Sequence, residues 1–155
     1  MRQKFFLIGL PGAGKTTMGL DLAVHLDLQF IDLDQDIEKI NKLSIAEIFK
    51  EKGEAHFRQL EKLHLEKVIA EHDSFVMATG GGTPCFFHNM SIMQKVGVTI
   101  YVDTPIKKIE ERLKLDTSRP LMQSYTLTDL LHKRKEWYDQ ADHTIREYKE
   151  ILKLF

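Results

Sequence analysis

The nine residues Gly9-Leu10-Pro11-Gly12-Ala13-Gly14-Lys15-Thr16-Thr17, set directly behind the apolar run KFFLI at 4–8, constrain this chain more than any other stretch. Glycine reaches backbone angles closed to other residues, so a glycine-rich turn can wrap its N–H groups around an anion. Gly9, Gly14, Lys15 and Thr16 satisfy G-x-x-x-x-G-K-[ST]. In that spacing the backbone amides, here those from Gly12 and Ala13 through Gly14, Lys15, Thr16 and Thr17, cradle nucleotide phosphates. The lysine reaches the β- and γ-phosphates, and the threonine hydroxyl faces Mg²⁺. The flanks agree with this. KFFLIG reads as a buried strand and KTTMGLDLAVHL as a helix with Met18, Leu22 and Leu26 along one face, the strand, loop, helix order that a phosphate loop requires.

The rest of the chain alternates in the same way. Apolar runs predict strands at 4–9, 29–32, 74–79, 98–103 and 143–146, and helical patterns fall at 15–26, 34–40, 45–51, 54–71, 86–95, 105–114, 127–140 and 147–154. Parallel neighbours need crossover connections, so the alternation predicts an α/β three-layer sandwich, a five-stranded parallel sheet flanked by helices. At 155 residues the chain fits one domain, spanning 1–155. With 22 basic and 23 acidic residues intermixed, it shows no electrostatic footprint for nucleic acid or an anionic membrane, so small molecules are the expected partners. A single cysteine excludes an internal disulfide, and the N-terminal apolar run is too short for a signal or membrane segment. The expectation is a soluble, cytoplasmic monomer.

Ligands of such sheets gather at the carboxyl ends of the strands, and two further motifs fall there. FIDLDQDIE places Asp32 at a strand end and Asp34 at the expected N-cap of the next helix, two carboxylates that can serve a metal shell and an acceptor hydroxyl respectively. MATGGGTP ends a strand in Gly80, Gly81 and Gly82, where missing Cβ atoms let a ligand meet backbone amides. Helical spacing also turns two arginines inward. Arg134 lies within the stripe Leu127, Leu130, Leu131, Tyr138 and Ala141, and Arg58 shares a sector with Leu65 and Ile69. A desolvated guanidinium needs a partner, and a bidentate carboxylate is its natural complement. For Arg58, Glu54 and Glu61 at helical spacings of four and three are the alternative partners. The polar stretch RLKLDTSRPLMQSYTLTD, between two helices, carries Arg112 and Arg119 and reads as a lid over approximately 112–125.

Taken together, GLPGAGKTT, FIDLD, GEAHFRQLE, ATGGG, SRPL and KRKEWY resemble the shikimate kinases, small kinases of the nucleoside monophosphate kinase-like group, over nearly the whole chain. The resemblance implies ATP-dependent phosphorylation of the 3-hydroxyl of shikimate, a step toward aromatic amino acids, with ATP and shikimate as partners and Mg²⁺ as cofactor. It implies that Lys15 and Thr16 serve phosphate and metal, that Asp32 supports the metal through water, and that Asp34 contacts the accepting hydroxyl. It implies that Arg58, Arg134 and the glycine backbones bind shikimate, with Phe49, Phe57, Glu61, Pro11, Pro120 and Leu121 shaping the pocket. Arg112 and Arg119 would serve the nucleotide, Arg119 at the transferred phosphoryl with Lys15 and Asp34. Two alternatives remain open: a kinase for another small polyol acid such as gluconate, and a nucleotide-regulated binding module without catalysis.

Overall fold

The computed structural model describes residues 3–115 and 126–155. Five strands, β1 (Lys4–Ile8), β2 (Phe30–Asp32), β3 (Phe75–Ala78), β4 (Val98–Val102) and β5 (His143–Ile145), form one parallel sheet in the order β2-β3-β1-β4-β5. Six α-helices are described: α1 (Lys15–Leu26), α2 (Leu33–Asn41), α3 (Ile45–Glu71), α4 (Asn89–Val96), α5 (Ile106–Lys114) and α6 (Leu127–Tyr138). Strand β1 is central and fully covered; Phe6, Leu7 and Ile8 are inaccessible to solvent. This is why its sequence is a continuous apolar run and not an alternation. The chain builds one side of β1 with β2 and β3, then crosses to the other with β4 and β5. The carboxyl end of β1, where the phosphate loop begins, is therefore the point of topological reversal, the place where such sheets open a crevice.

The helix boundaries follow local signals, with three departures from expectation. Helix α2 starts at Leu33, because Asp32 is its N-cap and accepts from the Gln35 amide at 3.1 Å. Asp34 is therefore not a cap. It sits inside the first turn, on the side facing the sheet edge. Helix α3 opens with a reciprocal capping box between Ser44 and Glu47. It breaks where the sequence placed a gap, at Gly53 with φ 84° and ψ 167°, before resuming through Arg58. The helix expected at 86–95 begins only at Asn89, because a 3-10 turn over Thr83–Cys85, with Pro84 in it, and the left-handed Phe87 (φ 51°) occupy the preceding residues. The segment expected as a helix at 147–154 is a 3-10 helix, Tyr148–Lys153, anchored by the fully buried Ile151. So short a terminal segment tightens into i→i+3 bonds, as in Glu150 N–H to Glu147 O at 3.0 Å. Among the described residues no helix is long and apolar enough to cross a membrane.

Candidate active site

The phosphate loop owes its shape to three glycines with positive φ: Gly9 (148°), Gly12 (80°) and Gly14 (104°). A Cβ on Gly9 would stand 2.8 Å from the Val102 carbonyl oxygen of β4, so the loop leaves β1 in a path only glycine permits. Two contacts from distant sequence hold the crest. Thr104, just past β4, donates its hydroxyl to Ala13 O at 2.6 Å, and Arg112 on α5 donates to Gly12 O at 3.1 Å. With Gly14 as the N-cap of α1, the amides of the first turn, through Thr16 and Thr17, are free of side-chain capping. The positive end of the helix dipole adds to an anion site there. Lys15 is buried and folds back over the loop, its ammonium donating to Gly9 O at 2.5 Å and to Leu10 O at 3.3 Å.

At the end of β2 the Thr16 hydroxyl donates to Asp32 Oδ2 at 2.9 Å, while Asp32 Oδ1 caps α2. One hydroxyl and one carboxylate, fixed beside the phosphate loop, are hard oxygen donors of the kind Mg²⁺ uses when phosphates and water complete its shell. Among the described residues no group of three or more His, Cys, Asp or Glu offers an all-protein metal cage. Asp34 stands two residues beyond Asp32, in the first turn of α2. Its Oδ1 is buried with no hydrogen-bond partner. Burial raises the Asp34 carboxyl to about 6; Glu61, Asp32 and Glu38 push the same way and Lys15 opposes them.

This shift has a consequence for stability. A carboxyl that holds its proton more tightly when folded contributes stability that is fully present below its ordinary value of 3.8 and lost as pH rises through about 6. Asp34→Asn carries no such charge. Urea unfolding of the ligand-free protein should therefore show the variant gaining on the wild type between pH 4 and pH 8, by up to roughly 3 kcal/mol. A constant difference between the two proteins across that range would contradict the buried, charge-disfavouring environment of Asp34.

The glycine run is the surface on which the remaining residues meet. A Cβ on Gly80 would lie 2.8 Å from Asp34 Oδ1 and 3.0 Å from Glu61 Oε2. On Gly81 it would meet Arg134 Nη1 at 2.8 Å and Pro11 Cδ at 2.9 Å, and on Gly82 the Arg58 guanidinium at 2.6 to 2.9 Å. At all three positions a Cβ would force these side-chain ends to shift, and together the glycines bring α2, α3, α6 and the phosphate loop to one edge. Arg58 is buried against the rings of Phe57 and Phe86, with Phe49 beyond Phe57 at a centroid distance of 5.0 Å. Of the two alternative partners, Glu61 binds Arg58 Nη1 at 3.0 Å, and Glu54 stands at 3.9 Å from Nε. The Nε itself is buried without a hydrogen-bond partner, as is Arg134 Nη1. Beside them Tyr138 donates its hydroxyl to Gly81 O at 2.5 Å, tying α6 to the run. Burial pushes the Cys85 thiol up to about 11 against the pull of Arg134 and Arg58, so this cysteine borders the cleft as a protonated thiol, not a nucleophile.

Two cationic groups with buried, unsatisfied donors, a buried carboxylate and a phosphate loop thus face one edge of the sheet. Residues 11–153 match the family described as shikimate kinase. The chain belongs to that family. It is 42% identical over 147 residues to the shikimate kinase of Azobacteroides pseudotrichonymphae, covering 90% of this chain and 86% of that one. A shikimate kinase structure from Bacteroides thetaiotaomicron superposes with a TM-score of 0.89 at 34% identity, over 98% of this chain and 95% of that one. One from Acinetobacter baumannii, in complex with shikimate, gives 0.90 at 33% identity, over 98% and 92%. Shikimate kinases are ATP-dependent enzymes that phosphorylate shikimate in aromatic biosynthesis, and this chain is an enzyme of that family.

Relative to the sequence expectations for a shikimate kinase, the structure gathers Gly12, Ala13, Gly14, Lys15, Thr16, Thr17 and Arg112 around the phosphate loop. It gathers Asp34, Arg58 and Arg134 around Gly80, Gly81 and Gly82. Arg119, Pro120, Leu121 and most of the expected lid lie outside the described residues. Two buried residues of the site went unnoticed in the sequence: Thr104, which pins the loop, and Thr83, which donates to Glu61 Oε2 at 2.8 Å. Each is a lone threonine in a loop. Only its place just after a strand end or the glycine run sets it apart.

Proposed function

We propose that this chain transfers the γ-phosphoryl group of ATP to the 3-hydroxyl of shikimate in the cleft between the phosphate loop and the glycine run. The observation that carries the reading is the pair of inward guanidiniums, each with a buried N–H that no protein group accepts, facing a glycine surface beside a phosphate loop. Such donors stay buried at a cost unless a ligand satisfies them, and a planar carboxylate matches their geometry. Arg58 and Arg134 hold the shikimate carboxylate, and the glycine run lets the ring lie close to the backbone. Asp34 then faces the accepting hydroxyl. Lys15 and the loop amides orient the β- and γ-phosphates, Arg112 lies over the loop near the nucleotide, and Arg119 serves the phosphoryl group from the lid.

Thr16, with Asp32 through water, would hold Mg²⁺. When bound, the ion neutralises charge developing on the β- and γ-phosphates. In the transfer itself the hydroxyl oxygen forms a bond to the γ-phosphorus as the bond to the β,γ-bridging oxygen breaks, and ADP leaves with that electron pair. The hydroxyl proton passes to the Asp34 carboxylate. A carboxyl raised to about 6 is ionised at neutral pH yet a better base than an ordinary aspartate. The protein's contribution is mainly positioning and preorganised charge.

Acceptor-dependent ADP release with shikimate, gluconate and nucleoside monophosphates offered in parallel tests the reading. Release with shikimate alone supports it, release with another acceptor replaces it, and none with any acceptor reduces the chain to a binding module. The carboxylate clamp makes a separate prediction. Charge-assisted hydrogen bonds are worth roughly 1.5–3 kcal/mol, so Arg58→Ala and Arg134→Ala should each weaken shikimate binding by about 10- to 150-fold. ATP affinity should change far less. Calorimetry giving wild-type shikimate affinity in both folded variants would reject the clamp.

A further inference from the structure

Arg58 belongs to α3, yet much of what aims its guanidinium lies on another element. The turn Thr83–Cys85 and the residue after it approach Arg58 from two directions. Thr83 donates its hydroxyl to Glu61 Oε2 at 2.8 Å, and Glu61 Oε1 accepts from Arg58 Nη1 at 3.0 Å. The Phe86 ring lies across the guanidinium, 4.1 Å from Cζ to the ring centroid. The turn is itself braced. The Thr83 amide donates to Gly80 O at 3.1 Å and that of Cys85 to Gly82 O at 2.9 Å, while Asn89 Nδ2 donates to Thr83 O at 3.0 Å. Thr83 and Asn89 are wholly inaccessible to solvent, and Glu61 nearly so at 1%.

The physics of this arrangement is specific. A buried carboxylate with a donor on each oxygen is held in one orientation. A planar guanidinium bound in its own plane by one carboxylate oxygen, and covered on a face by an aromatic ring, keeps little freedom to rotate. The part of Arg58 that makes no hydrogen bond includes the buried Nε, 3.9 Å from Glu54 Oε1, and the head group presses against Gly82. A threonine without its hydroxyl would leave Glu61 Oε2 desolvated and unsatisfied, and the carboxylate would turn to find a donor, taking Arg58 with it.

We propose that Thr83 and Phe86 are positioning residues for recognition of the acceptor carboxylate, setting the direction of Arg58 from the turn behind the glycine run. The inference rests on the reading that Arg58 binds that carboxylate.

A double-mutant cycle tests it, with dissociation constants for shikimate and for ATP measured by calorimetry on Thr83→Val, Thr83→Ser, Arg58→Ala and the Thr83→Val/Arg58→Ala pair. The expected results are on the order of a tenfold loss of shikimate affinity in Thr83→Val, ATP affinity within about twofold of wild type, and restoration by Thr83→Ser. In the Arg58→Ala background, Thr83→Val should add nothing further, because its effect acts through Arg58. Wild-type shikimate affinity in Thr83→Val, equal losses for both ligands, failure of Ser to restore, or full additivity with Arg58→Ala would each overturn the inference while leaving the clamp in place. Unchanged affinity in Arg58→Ala would overturn both. Should Thr83→Val fail to fold, Phe86→Leu enters the same cycle in its place, with a loss of a few-fold expected from removing the stacked ring and the same absence of effect beside Arg58→Ala.

Discussion

Asp34→Asn is expected to lower the turnover number for shikimate by about 10²–10⁴, the usual range for loss of a general base. The placement of the carboxyl is the reason. Asp34 lies in the first turn of α2, its Oδ1 buried without a partner and within 2.8 Å of where a Gly80 Cβ would stand. Asparagine keeps the shape and one carbonyl acceptor but cannot take a proton. Because phosphoryl transfer passes through a loose transition state, the hydroxyl can lose its proton late, and orientation then carries more of the effect. Asp34→Ala separates the two. A large loss in both variants assigns proton acceptance, a large loss in Ala alone assigns orientation, and wild-type turnover in both would remove Asp34 from the reaction. Capping enters neither comparison, since Asp32 performs that task for α2.

Lys15→Ala is expected to lower turnover at saturating ATP by about 10²–10³ or more, the range for deleting one preorganised charge from the transition state. The fold should survive. The bonds from the ammonium to Gly9 O and Leu10 O lie within the loop, whose crest is also held by Thr104 and Arg112. Lys15 further lowers the Asp34 carboxyl, so its removal pushes that group higher still. The residual activity of Lys15→Ala should accordingly rise with pH over a range displaced upward from the wild type. Near-normal turnover in a variant with wild-type circular dichroism would remove Lys15 from the transfer step.

Much of this site is legible from local sequence. The phosphate loop is contiguous, and its glycines adopt the positive φ that the motif demands. The inward direction of Arg58 follows from helical periodicity, as does the exposure of Leu63, which leaves the same stripe and is 58% accessible. The errors arose where two local readings competed. Asp32 and Asp34 are both good caps; β2 ends at residue 32 as expected, but α2 follows it without a gap, so Asp32, still paired opposite Ala78, is the last strand residue and the cap at once. Likewise the residues after Gly82 carry helical pattern, but Pro84 and the braced turn above Arg58 delay α4 to Asn89.

The sequence by itself determined the nucleotide-binding strand, loop and helix, the alternation that makes a parallel sheet, and the set of charged residues turned inward. All of these depend on neighbours within a few positions along the chain. Tertiary structure decided how those groups are shared. Which arm of Arg58 Glu61 occupies, which oxygen of Glu61 Thr83 holds from 22 residues away, and how Thr104 reaches Ala13 across 91 residues follow only once the sheet has brought its loops to one edge. A hydrogen bond requires placement to a few tenths of an ångström, and no periodicity of residue types carries that information.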